Sequence, residues 1–131
     1  MYPSEQLKER TRQFAVAAVK LFRSLPKSDE ARILGKQLLR AATSVGANYR
    51  AVCRARSRAE FISKVGIVVE EADETVFWLE LLISTDIMKG ERVDTLLEEA
   101  NQLLAIFAAS QRTAKANGKR SNMKKIDPVI H

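Results

Sequence analysis

The sequence is poor in the residues that build most active sites. It holds one cysteine and one histidine in 131 residues. No internal disulfide can form, no zinc site of four Cys/His ligands can be assembled, and a histidine-based triad would have to draw on the terminal His131. Five glycines, three prolines and 6% aromatics leave little material for the turns and strands of an all-β fold. No apolar run approaches the roughly 20 residues that cross a bilayer; the longest is Leu103 to Ala109. A secretory signal needs an apolar core near the N-terminus, and Glu5, Lys8, Glu9, Arg10 and Arg12 stand there instead. A cytoplasmic location is the simplest expectation, and the lone cysteine agrees with it.

What is present reads as one ordinary globular domain. The chain is 46% hydrophobic and 29% charged, enough to bury a core and too short for two. Apolar residues recur with the period of a helix. From about Ser4 to Leu25, the residues Leu7, Phe14, Ala18, Leu21, Phe22 and Leu25 share a side. Pro26 ends that segment by pushing its predecessor out of the helical region. Ser28 or Asp29 can cap a second helix, which runs to about Arg56 with Leu34, Leu38, Ala41, Ala42, Val45, Tyr49, Val52 and Cys53 inward. Gly35 and Gly46 interrupt it, at up to about 1 kcal/mol each against Ala, unless they let another helix come close.

Ser57-Arg58-Ala59-Glu60 has the spacing of a capping box and starts a third helix through Phe61, Val65, Val68, Ala72, Val76, Leu79 and Ile83. A fourth runs from about Glu91 to Lys115, with Val93, Leu96, Leu97, Ala100, Leu103, Leu104 and Phe107 inward, and Asn117-Gly118 ends it. Four amphipathic helices joined by short turns predict an all-α, antiparallel, up-down-up-down bundle over residues 1–117. Residues 118–131, with Lys119, Arg120, Lys124 and Lys125, read as a short flexible basic tail.

The net charge of +6 conceals a larger imbalance. From Lys36 to Lys64 there are seven basic residues and one acid, Glu60, whereas Gly66 to Glu99 holds ten acids against Lys89 and Arg92. Arg112 to Lys125 is again basic, six to none. On the second helix Arg32, Lys36, Arg40, Arg50 and Arg54 fall within a sector of about 80°, and Arg58 extends the row. The row is roughly 33 Å long. Such a ladder suits a polyanion, because each guanidinium can grip a phosphate with two hydrogen bonds. It suits equally a solvated face, or salt bridges to the acidic third helix within or between subunits. No aromatic interleaves with it, so stacking on single-stranded bases is not indicated.

The third helix is apolar beyond its inward face. Ile67, Phe77, Trp78, Leu81 and Leu82 point elsewhere, which reads as a self-association surface centred on Trp78 or, alternatively, as a wide stripe that touches both neighbouring helices. Glu70, Glu71, Asp73 and Glu74 suggest the carboxylates of a di-iron bundle, but that site needs Glu-x-x-His pairs and no helix contains a histidine, so they read as solvated or salt-bridged. Cys53 beside Arg50, Arg54 and Arg56 reads as a packed cysteine. With no phosphate-cradling glycine loop and no nucleophile or acid–base pair, the expectation is a non-enzyme without cofactors.

The run Gln37-Leu38-Leu39-Arg40-Ala41-Ala42-Thr43-Ser44-Val45-Gly46-Ala47-Asn48 resembles the signature of a bacterial family, the proteins encoded in intervening sequences of 23S rRNA genes. The likeness continues through Tyr49-Arg50, Cys53-Arg54-Ala55-Arg56-Ser57, Glu60-Phe61, Glu70-Glu71-Ala72-Asp73-Glu74 and Phe77-Trp78-Leu79-Glu80-Leu81-Leu82. It spans about residues 5 to 110. Many members carry Asn-Ile-Ala-Glu-Gly after the first motif; here Asn48 is followed by Tyr49-Arg50-Ala51-Val52, which marks a side branch. The resemblance implies a four-helix bundle assembled as a homopentamer, with no established biochemical role. A related branch, the accessory variability determinant proteins of diversity-generating retroelements, implies a basic pentamer that engages nucleic acid and a reverse transcriptase. By that resemblance the contacts would come from the Arg40 motif and from Arg50, Arg54, Arg56 and Arg58. Two functions follow as expectations: a basic oligomeric binder of structured RNA or DNA (or adaptor to a protein), or a structural interaction module whose arginines pair with its own acids.

Overall fold

Two serines set the start of two helices. The Ser28 side chain accepts a hydrogen bond from the Ala31 backbone N–H, and Ser57 does the same for Glu60. Each satisfies an amide that a helix N-terminus otherwise leaves unpaired. The computed structural model describes the backbone over residues 4–126 and the side chains over residues 5–119. It contains four helices: α1 (Ser4–Ser24), α2 (Asp29–Cys53), α3 (Arg58–Ser84) and α4 (Glu91–Ile126). Among the described residues there is no strand.

Each helix packs antiparallel on the next in sequence, and α4 returns toward α1 along a looser seam. The core comes from one stripe of each helix. Phe14, Ala18 and Leu21 meet Leu38, Ala42, Val45 and Tyr49, then Val65, Val68, Ala72 and Leu79, then Val93, Ala100, Leu103 and Phe107. The rings of Tyr49 and Phe107 stack tilted, with centroids 5.2 Å apart. Two buried hydroxyls, Thr11 and Thr75, donate to the carbonyls of Leu7 and Glu71 one turn back, at 2.9 and 2.8 Å. Burial therefore leaves neither group unpaired.

Gly46 fixes how closely α1 and α2 approach. A Cβ there would lie 3.3 Å from the Thr11 carbonyl oxygen, so the crossing is backbone against backbone. The helix cost of this glycine is repaid in proximity, the second of the two readings its sequence position allowed.

The end of α3 is a Schellman turn built without glycine. Ile87 N–H bonds to Leu82 C=O and Asp86 N–H to Ile83 C=O, both at 3.0 Å, and Asp86 takes φ 61°. That is the paired 6→1 and 5→2 pattern of the motif.

Two expectations are corrected. The stop at Asn117-Gly118 is not where α4 ends: the helix runs through both residues to Ile126, so the segment read as a tail from 118 is helical to that point. Gly118 lies against α3, where a Cβ would come 3.3 Å from Arg58 Cδ. Its role is close packing, and the surrounding Lys, Arg and Ala residues are good helix formers. Residues 127–131 of the expected tail, His131 included, lie outside the described residues. Leu82, assigned to the outward face of α3, is fully buried in the core. It falls about 40° from Val68 on the helix, within a stripe broad enough to meet both α2 and α4.

Candidate nucleic-acid interface

The arginine ladder of α2 is divided by its partners. Arg40, at its middle, reaches across to α3: its Nη1 lies 3.2 Å from Glu71 and its Nη2 bonds to Glu74. The Glu74 carboxylate also accepts from the Trp78 indole N–H at 3.0 Å. Arg40 is thus the centre of a clamp holding α2 to α3, with its positive charge matched in place. At the start of the row Arg32 makes an exposed pair with Asp29 one turn back, at 3.6 Å. Among the described residues, Lys36, Arg50, Arg54 and Arg58 make no ion pair, and all four are exposed.

The structure brings Arg50 and Arg54 to a second pair of cations that the ladder did not include. Lys8 and Arg12, one turn apart on α1, line with them a groove of about 440 Å³ whose floor is Ala15, Thr43, Gly46 and Ala47. The acids nearest this groove on α1 are already engaged. Glu5 pairs with Lys8 at 3.1 Å and Glu9 with Arg12 at 3.0 Å. Hydrogen bonds from Arg12 and then Gln13 hold the Glu9 carboxyl down to about 2, and the same pair raises Arg12. Lys8 and Arg12 were findable from sequence by the same helical projection that revealed the α2 row. The missing information was that Gly46 packs their helix beside it.

Charge is also sorted along the bundle axis. The end with the α2–α3 turn comprises residues 5–14, 46–67 and 105–119, tied together by the Thr11–Gly46, Tyr49–Phe107 and Arg58–Gly118 contacts. It carries eleven basic residues and three acids; the rest of the described bundle, 15–45 and 68–104, carries eight and twelve. Among the described residues, Arg10 is the one cation of the basic end bound to the acidic half, gripping Glu99 at 2.8 Å through two nitrogens and Gln102 at 2.8 Å. The Glu99 hydrogen bonds raise the Arg10 pKa.

Of the five residues expected on the outer face of α3, Leu82 is in the core and the other four differ in exposure. Ile67 and Phe77 are exposed, at 44% and 52%. Trp78 and Leu81 are half-buried, the indole packed edge-on against Phe77 with centroids 4.9 Å apart. Exposed Ile33 lies on the adjacent α2. Among the described residues no group of three or more His, Cys, Asp or Glu is placed to hold a metal, and no helix is long and apolar enough to cross a membrane. Cys53 is half-buried beside the core.

Residues 5–109 match the family described as 23S rRNA-intervening sequence protein. The chain belongs to this family. It is also similar to a solved structure from Bacteroides thetaiotaomicron, described as a protein with unknown function from the S23 ribosomal protein family. The two are 36% identical over 79% of this chain and 96% of that one, with a TM-score of 0.73. No curated protein matches the chain. The intervening-sequence match includes the whole α1–α2 groove and the Arg40 clamp, and it stops before Arg112, Lys115 and Lys119 on α4.

Proposed function

We propose that this intervening-sequence family member is a non-catalytic, basic, oligomeric bundle that binds the phosphate backbone of structured RNA or DNA, alone or as an adaptor. The observation that carries this reading is the concentration of unpaired cations at one end of the bundle: Arg50, Arg54 and Arg58 have no acid partner among the described residues, while Arg40 has two. The three acids of that end, Glu5, Glu9 and Glu60, pair with Lys8, Arg12 and Lys64, which leaves its other cations in excess. An end left at eleven to three attracts a polyanion through counterion release, with little preference for base sequence. Arg32 and Lys36 provide a smaller second contact further along α2. In a pentamer, the state implied by the family resemblance, +6 per chain becomes about +30, and modest contacts add by multivalency. Ile67, Phe77, Trp78 and Leu81 form the self-association face.

A gel shift with structured RNA and with duplex DNA at low salt tests the binding. A retarded complex that dissolves as salt rises is expected, and no complex with either probe rejects it. Light scattering tests the assembly, and a mass near 14.7 kDa rejects that part. The Arg40 clamp favours a second reading, in which the arginines serve only to join helices and the protein is an interaction module. Under it, charge reversal at Arg50 or Arg54 weakens assembly and leaves nucleic acid unbound.

A further inference from the structure

We infer that the groove between α1 and α2 is the phosphate seat of this protein, in which two helices close on one stretch of nucleic-acid backbone. The inference rests on the nucleic-acid reading above and adds to it a place and a second wall. Four cations line the groove, Lys8 and Arg12 from α1, Arg50 from α2 and Arg54 from the α2 C-cap, and no acid lines it. Its floor is made of small residues, Ala15, Gly46, Ala47 and Thr43, so a phosphate can approach the helix surface while long side chains reach it from both sides. The close backbone crossing at Gly46 and Thr11 brings the walls together; a larger residue at position 46 would wedge them apart. On each wall the cations recur at one-turn spacing, about 6 Å along the axis, so each helix presents a pair to the strand.

The two walls are prepared differently. Arg50 and Arg54 carry no ion pair among the described residues. Lys8 and Arg12 are held by Glu5 and Glu9 of their own helix through exposed pairs. Such pairs are weak in water, so a phosphate can share or displace the carboxylates. The contacts reach phosphate and not base edges, so RNA and DNA duplexes of the same sequence should bind alike.

The test measures anisotropy of a labelled duplex of about 20 base pairs, once as RNA and once as DNA, across a salt series. Four variants of the full chain are compared with wild type, each checked for helicity by circular dichroism. Lys8→Ala with Arg12→Ala removes the α1 wall. Ala47→Glu puts a carboxylate into the groove at an exposed helical position, and Ala47→Gln is its uncharged control. Lys20→Ala with Arg23→Ala removes the same charge from α1 at the far end. The expected result is a loss of tenfold or more for the first pair and for Ala47→Glu. The salt slope for Lys8→Ala/Arg12→Ala should fall by about 1.8, the value for two phosphate contacts. Ala47→Gln and the far-end pair should stay within about threefold of wild type. If wild type binds and the groove variants weaken it no more than the far-end pair, the seat is wrong and the broader reading survives. If wild type binds neither duplex, that broader reading fails and the seat falls with it.

Discussion

Arg40 on α2 and Arg54 at the C-cap of that helix belong to one row of cations, yet the structure gives them opposite work, and replacing each by glutamine should separate the two. Arg40 is about half exposed, Glu71 is 15% exposed and Glu74 35%. The clamp is therefore stronger than an open surface pair and weaker than a buried one. Exposed pairs are worth about 0.2–1 kcal/mol, and bidentate or networked geometry raises that. Two carboxylates, one of them shared with the Trp78 indole, give about 1–2 kcal/mol for Arg40→Gln. For a domain of this size that is a fall in Tm of roughly 3–8 °C. Nucleic-acid affinity should change by less than about twofold, because the lost charge was already matched. Arg54→Gln removes an exposed cation with no partner. Its Tm should move by about 1 °C or less, while the salt slope of binding drops by about 0.9. Differential scanning calorimetry and anisotropy titrations on the same preparations supply both readings. The reasoning is refuted if Arg40→Gln weakens binding more than Arg54→Gln while leaving Tm in place.

Three further outcomes follow from the packing. Leu82→Ala should cost about 3 kcal/mol in urea unfolding, because a fully buried leucine leaves a cavity in the core; a cost under about 1 kcal/mol would return Leu82 to the outer face of α3. Asp86→Gly should stabilise the chain by about 0.5–1 kcal/mol, since glycine accepts φ 61° freely. The pair lost with Lys89 is highly exposed on both sides and contributes little. Carbon-detected NMR should find the Glu9 carboxyl titrating near 2 instead of 4.5. A carboxyl depressed in the folded state favours folding fully above its unfolded value and loses that contribution as pH falls from about 4.5 toward 2. Arg12→Ala should return Glu9 to the ordinary range.

The bundle itself was legible because its local signals agree. Ser28, Pro26 and Ser57 each act on their own neighbours, and the apolar stripes of α1 and α2 repeat with one period, so position alone predicts burial. The errors have a common cause in tertiary contact. Gly118 carries a helix-stopping signal in sequence, but α4 runs through it to Ile126, and Arg58 of another helix lies over it. Leu82 looked outward because α3 is broadly apolar, and only the placement of α2 and α4 on both flanks shows how wide its buried stripe is. The site was half legible for the same reason. A helical projection aligns Arg50 with Arg54 on one helix, yet it cannot show that Arg40 is taken by Glu71 and Glu74, or that Lys8 and Arg12 of α1 come to stand opposite. Pairing across helices decides which charges are spent and which remain available.

The salt dependence of duplex binding tests the central claim most directly. Four groove cations, each releasing the counterions of one phosphate, give a plot of log K against log salt with a slope of about −3.6 per engaged groove. A slope at least that steep is expected for RNA and for DNA alike. A flat plot, or no binding to either duplex at low salt, would contradict it.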